Sequence, residues 1–125
     1  MAKAVTVPLG PAQVNLVGVR AGDRNMLTVT IRDKDLPVDL TGMVVTAQAR
    51  KRSTDTGTAL DAVCTITDAA AGQVELRWPG DDVRTLLADK PTWSGVWDLQ
   101  MQSPPADPVT VCEGTFDAEM DVTRS

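Results

Sequence analysis

No histidine and no tyrosine occur in these 125 residues, and phenylalanine occurs once. Without histidine, the chain lacks the side chain that most often serves as general base near neutral pH and that most often ligates transition metals. Cysteine is scarce too. Cys64 and Cys112 stand far apart and form no C-x-x-C motif. They read as free thiols that pack as small hydrophobes, with a disulfide between neighbouring strands as the alternative that geometry decides. There is no glycine-rich phosphate loop and no dinucleotide fingerprint. No apolar run approaches the roughly 20 residues of a membrane span. The opening "MAKAVTVPLGPAQVNL" is broken by Pro8 and Pro11, so it does not form the apolar core of a signal peptide.

Excess positive charge is missing as well. Twelve basic residues against 17 acidic ones give a net charge of −5, which argues against nucleic acid as a partner. The one basic cluster, Arg50-Lys51-Arg52, reads as a solvated strand end. Asp33, Asp35 and Asp39 resemble the start of a calcium loop, but an EF-hand would need Gly at Val38 and Glu at Val44. A polar turn is the better reading. Acid pairs such as Asp81-Asp82 run glycosidic chemistry in some enzymes, yet any acidic surface carries them. The expectation is no enzyme, with no catalytic, cofactor-binding or metal-binding residue, and no membrane partner.

What is present is period-two alternation. Leu27, Val29 and Ile31 alternate with Thr28, Thr30 and Arg32. The same pattern carries Met43, Val45, Ala47 and Ala49, then Leu60, Ala62, Cys64 and Ile66, then Val74, Leu76 and Trp78. This is the signature of half-buried antiparallel strands. Turn-rich stretches separate them, which predicts an all-β sandwich or small barrel. One segment differs. Val83, Leu86 and Leu87 have helical spacing behind Asp81 and Asp82 as possible N-caps, which predicts a short helix near residues 81–88.

The stretch "TWSGVWDLQM" places Trp93, Gly95, Trp97, Leu99 and Met101 on one face of a strand. A helix would scatter those groups and would carry Gly95 at a cost of about 1 kcal/mol. Trp78, Trp93, Trp97 and Phe116 are thus expected as core anchors, each Trp burying on the order of 200 Å². The rival arrangement exposes the Trp pair to bind carbohydrate, which would make the chain a sugar-binding β-sandwich module. In the last strand region the apolar parity switches between Val109/Val111 and Phe116/Ala118/Met120/Val122. A β-bulge at Glu113-Gly114 accounts for the switch; the alternative turns Cys112 inward with Phe116.

Residues 1–13 read as an extended arm ahead of a single domain spanning 14–125. Val5, Val7 and Leu9 make the arm a candidate interface, lying either on its own domain's edge or on a neighbouring subunit. Removing residues 1–12 is expected to block assembly and leave the fold intact.

Four phrases, in order, resemble one family. Gly22-Asp23, the strand Leu27 to Ile31, Pro37 to Gly42 and the strand ending at Arg50 resemble the opening of the immunoglobulin-like domain of tailed-bacteriophage baseplate upper proteins and minor tail proteins. "ITDAAAGQVELRW", "GVWDLQM" and "CEGTFDAEMDVTRS" are similar to its later strands. "SPPADP" departs from the family's usual Asp-Gly turn, and Trp97 stands where Tyr is frequent. The resemblance implies an immunoglobulin-like antiparallel β-sandwich in a virion, assembled in the host bacterial cytoplasm. It implies a non-enzymatic minor tail or tail-tip subunit that joins other virion proteins, with capsid decoration as the alternative. Because the chain stops after the domain, at Ser125, the resemblance implies a small adaptor or decorating subunit, and the symmetry of virions implies a cyclic homo-oligomer.

Overall fold

A computed structural model of the chain describes residues 2–52, 54–55 and 57–120. In chain order the elements are β1 (Ala2–Pro8), β2 (Ala12–Gln13), β3 (Leu16–Arg20), β4 (Asn25–Asp33), β5 (Leu36–Pro37), β6 (Val44–Arg50) and β7 (Leu60–Asp61). They continue with β8 (Val63–Asp68), β9 (Gln73–Trp78), the helix α1 (Gly80–Leu87), β10 (Thr92–Gln102) and β11 (Val109–Glu119).

The alternating residues sort as their spacing requires. Leu27, Val29, Ile31, Val74, Leu76 and Trp78 are all fully buried, while the residues between them face outward. That makes β4 and β9 the centre of a first sheet with the order β1-β4-β9-β8 and with β5 folded back on β4. The second sheet has the order β2-β11-β10-β6-β7, with β3 also along β11. Ala47, Ala49, Trp97, Leu99, Val111, Phe116 and Ala118 face the first sheet from it. The chain passes between the sheets at Ala62, whose N–H still donates to Ala47 at 2.9 Å before β8 joins the other layer. The result is an all-β, immunoglobulin-like sandwich. Its sheets are mixed: β1 runs parallel to β4, and β2 and β3 run parallel to β11, while the remaining pairs are antiparallel.

Residues 2–8 and 12–13 are paired within this sandwich. β1 matches β4 along its whole length, from Ala2 opposite Met26 to Pro8 opposite Arg32. The chain then reverses through Leu9, Gly10 and Pro11, with Gly10 at φ 97°, a value only glycine adopts freely. The prolines mark this reversal and leave the paired stretch uninterrupted, because Pro8 is the last residue of an edge strand. Val7 is 2% exposed and belongs to the core. Loss of residues 1–12 therefore removes core and uncovers β4, which corrects the expectation that the fold would be indifferent to it.

Two local expectations also shift. The bulge lies at Val111-Cys112, since Leu99 faces Cys112 while Gln100 faces Thr110. Both Val111 and Cys112 are fully buried as a result. Gly114 has a different task. A Cβ there would come within 2.0 Å of the Val14 carbonyl oxygen, so its absence lets the β2–β3 segment cross close to β11. The position of Val122 lies outside the described residues. The helix forms as its spacing predicts, with Val83 and Leu87 buried, but its N-cap is Pro79. Asp81 and Asp82 sit inside the first turn, where carboxylates complement the helix dipole. The helix ends at Ala88, which is left-handed at φ 50°, two residues before Lys90.

Two poles follow from these pairings. At the turn pole lie the reversal at 9–11, the Lys34-Asp35 turn and the loop 103–108, in which the Pro104–Pro105 bond is cis. At the helix pole lie α1, the 21–24 turn, and both ends of the described chain. Ala2 pairs with Met26 there, Ala21 N–H donates to Glu119, and Met120 N–H donates to Pro91. Asn25, fully buried, ties this pole together by bonding to Arg20 and to the Trp78 carbonyl.

Candidate functional site

The aromatic residues gather in the interior. Trp78, Trp97 and Phe116 are at most 2% exposed. Trp78 meets Trp97 edge-on at 6.1 Å and Phe116 at 4.8 Å, geometries that favour the ring quadrupoles. Trp93 is half-buried, 6.0 Å from Phe116, and carries Lys51 Nζ over its ring at 5.2 Å from the ring centre. Lys51 Nζ is fixed there by donating to the Ser94 carbonyl at 2.7 Å. The four anchors therefore form one cluster, and the exposed Trp pair that a sugar-binding face would need is not formed. Trp78 Nε1 is buried with no hydrogen-bond partner among the described residues.

The outward face of the second sheet holds a shallow hollow of about 450 Å³. Gln13, Arg50, Asp98, Glu113 and Thr115 line it together with Val96, Trp97 and Gly114. Strand pairing sets Asp98 directly opposite Glu113. Two carboxylates in that relation repel. Arg50 offsets this in part, with Nη1 3.6 Å from Asp98 Oδ1 and Nη2 donating to Gln48 at 2.7 Å. Asn15 fixes the rim by accepting from Thr115 N–H at 3.1 Å and from Gln13 at 2.9 Å. Arg50 thus does more than mark a strand end. Sequence reading missed Asp98 and Glu113 because a register, including the bulge, is needed to bring them face to face.

A second surface gathers exposed hydrophobic side chains among polar ones. Of the large hydrophobic side chains that remain exposed, Leu9, Leu36, Val44 and Val109 all fall at the turn pole. Leu9 is the member of the Val5, Val7 and Leu9 trio that stays exposed. Val5 is half-buried against the core and Val7 is inside it. In the Asp33–Asp39 stretch, Asp39 builds a turn: it accepts from Thr41 N–H at 3.0 Å and from its hydroxyl at 2.7 Å. The Thr41 hydroxyl and then its N–H hold the Asp39 carboxyl below its usual range. Burial pushes the Cys64 thiol up to about 11 and the Cys112 thiol up to about 12. Both cysteines are free, on opposite sheets. No helix among the described residues is long and apolar enough to cross a membrane.

A two-layer immunoglobulin-like sandwich with an acid-lined hollow on one sheet and exposed hydrophobic side chains at one pole is the class of protein these features define. Among solved structures, it is similar to the N-terminal domain of phage TP901-1 ORF48. The TM-score is 0.50 at 13% sequence identity, covering 97% of this chain and 99% of that one. At that identity the likeness is one of fold. No protein-family model matches the chain, and no curated protein matches it.

Proposed function

We propose that this chain is a non-enzymatic structural protein of a bacteriophage virion. Its role is that of a minor tail or tail-tip (baseplate) subunit that docks on and connects other virion proteins as part of a cyclic homo-oligomer. The observation that carries this reading is the fold correspondence with a phage protein's N-terminal domain over nearly the full length of both chains. The order of sequence phrases supports the same reading. The turn pole supplies the apolar contact, through Leu9, Leu36, Val44 and Val109. The hollow at Asp98 and Glu113 supplies charge selectivity beside it, which suits contact with a protein surface better than turnover of a small molecule.

The test is mass spectrometry of purified virions, disassembled stepwise into heads and tails. Recovery of this chain with tails is the expected result. Recovery with heads would make it a capsid decoration protein, and recovery with neither would overturn the virion role.

A further inference from the structure

Four features of β1 stand together. It pairs with β4 over all seven of its residues, yet it buries one side chain fully, Val7. Among the described residues it is the one strand of the first sheet that runs parallel to its neighbour, a slightly weaker pairing than the antiparallel form. An open cleft of about 510 Å³, walled by Val5 and Val7 on one side and Ala12 and Val14 on the other, lies between it and the segment 12–15 that holds β2. Its tether is three residues, Leu9-Gly10-Pro11, set between Pro8 and β2 and held in a positive-φ reversal at Gly10. A short, sharply turned hinge on a lightly anchored edge strand is the arrangement that favours strand exchange.

We infer that β1 is an exchangeable strand, and that in the assembled protein it pairs with β4 of a second copy of this chain. The occupant is specified by the contact itself. Every copy's β1 offers the same seven backbone positions and the same Val7 to every copy's β4. Straightening Leu9-Gly10-Pro11 carries the strand roughly 10 Å outward, at about 3.4 Å per residue. No hydrogen bond between β1 and β4 is lost in the exchanged state, and the turn at Gly10 is released. The inference deepens the homo-oligomer part of the proposed function. Its test leaves the virion role untouched, because that role is read from virion fractions.

The experiment uses the full chain carrying T6C and T30C, at positions that face each other in register. Natural-abundance and nitrogen-15 forms are mixed, unfolded, refolded together at high concentration and oxidised. A T28C/E75C pair, on β4 and β9, serves as the non-exchanging control. Exchange predicts disulfide-linked peptides joining positions 6 and 30 with mixed label in near-statistical proportion, and covalent oligomers on a non-reducing gel. Mixed-label links as rare as in the control, all at monomer mass, would overturn the inference. In the chain without added cysteines, inserting Gly-Ser-Gly-Ser after Gly10 should shift light-scattering mass from oligomer towards monomer. An oligomer indifferent to that insertion would also overturn it.

Discussion

The indole Nε1 of Trp97 donates a hydrogen bond to the carbonyl oxygen of Val14 at 2.8 Å. This one bond joins the buried aromatic cluster to the segment that links β2 and β3, 83 positions away in sequence. Replacing Trp97 with Phe keeps an aromatic ring and removes the donor. It leaves the Val14 carbonyl short of a partner, at a cost of about 1–3 kcal/mol. A urea titration should show a lower midpoint with little change in slope.

Gly114 sits under the same carbonyl. Gly114→Ala would place a methyl group 2.0 Å from the Val14 oxygen, against backbone that has no rotamer to offer. The expected cost is about 3 kcal/mol or more, at or above the upper end of ordinary overpacking. Thermal unfolding of the variant checks it, and a melting temperature equal to the parent's would contradict the close approach.

Asp98 and Glu113 face each other across β10 and β11. Glu113→Lys turns a repulsive cross-strand pair into an attractive one. It should stabilise the domain by roughly 0.2–1 kcal/mol at low salt, with the gain shrinking as salt is added. If the hollow docks a partner, the same change should weaken incorporation into virions while the isolated domain becomes more stable.

Alkali should act through the thiols. The fold holds Cys64 and Cys112 protonated up to about 11 and about 12, while an exposed thiol releases its proton near 9.0. Between those values the unfolded chain has lost protons that the folded chain keeps. Stability is therefore full below pH 9 and falls as pH rises towards 12. Cys112→Ala should remove about half of that slope, since one of two such groups is gone. In the parent at about pH 8, below the ordinary thiol range, thiol reagents should react slowly until denaturant is added.

Tryptophan emission separates interior from surface. Trp78 and Trp97 are buried, and Trp93 is half-buried with Lys51 Nζ over its ring. Emission should be blue-shifted, and most of the acrylamide quenching should disappear in Trp93→Phe. Sugars should leave the spectrum unchanged; a sugar-dependent shift would revive a carbohydrate-binding role.

Much of this architecture is legible in the sequence where one physical rule dominates. Leu27, Val29 and Ile31 alternate because one face of β4 is buried, and Trp97, Leu99 and Met101 do so for the same reason on β10. Val83 and Leu87 reveal the helix through their spacing. Legibility fails where two rules compete. Gly114 looks like a bulge residue, but its missing side chain serves a crossing by Val14, while the bulge falls at Val111-Cys112, where no glycine marks it. Pro8 and Pro11 look like breaks in a loose arm, but they bracket a reversal between two paired strands. The opposition of Asp98 and Glu113 is a product of register between strands and has no local signature at all.

The reversal at Gly10 has a mechanical consequence. Because β1 runs opposite to β3, Ala2 and Met120 emerge at the same pole. Tension applied across those two points does not shear the sandwich along its length. It reaches β1 at Ala2 and opens the β1–β4 bonds one after another, as a zipper opens from its tab. The domain should yield first at that seam under small forces, with its aromatic interior still closed.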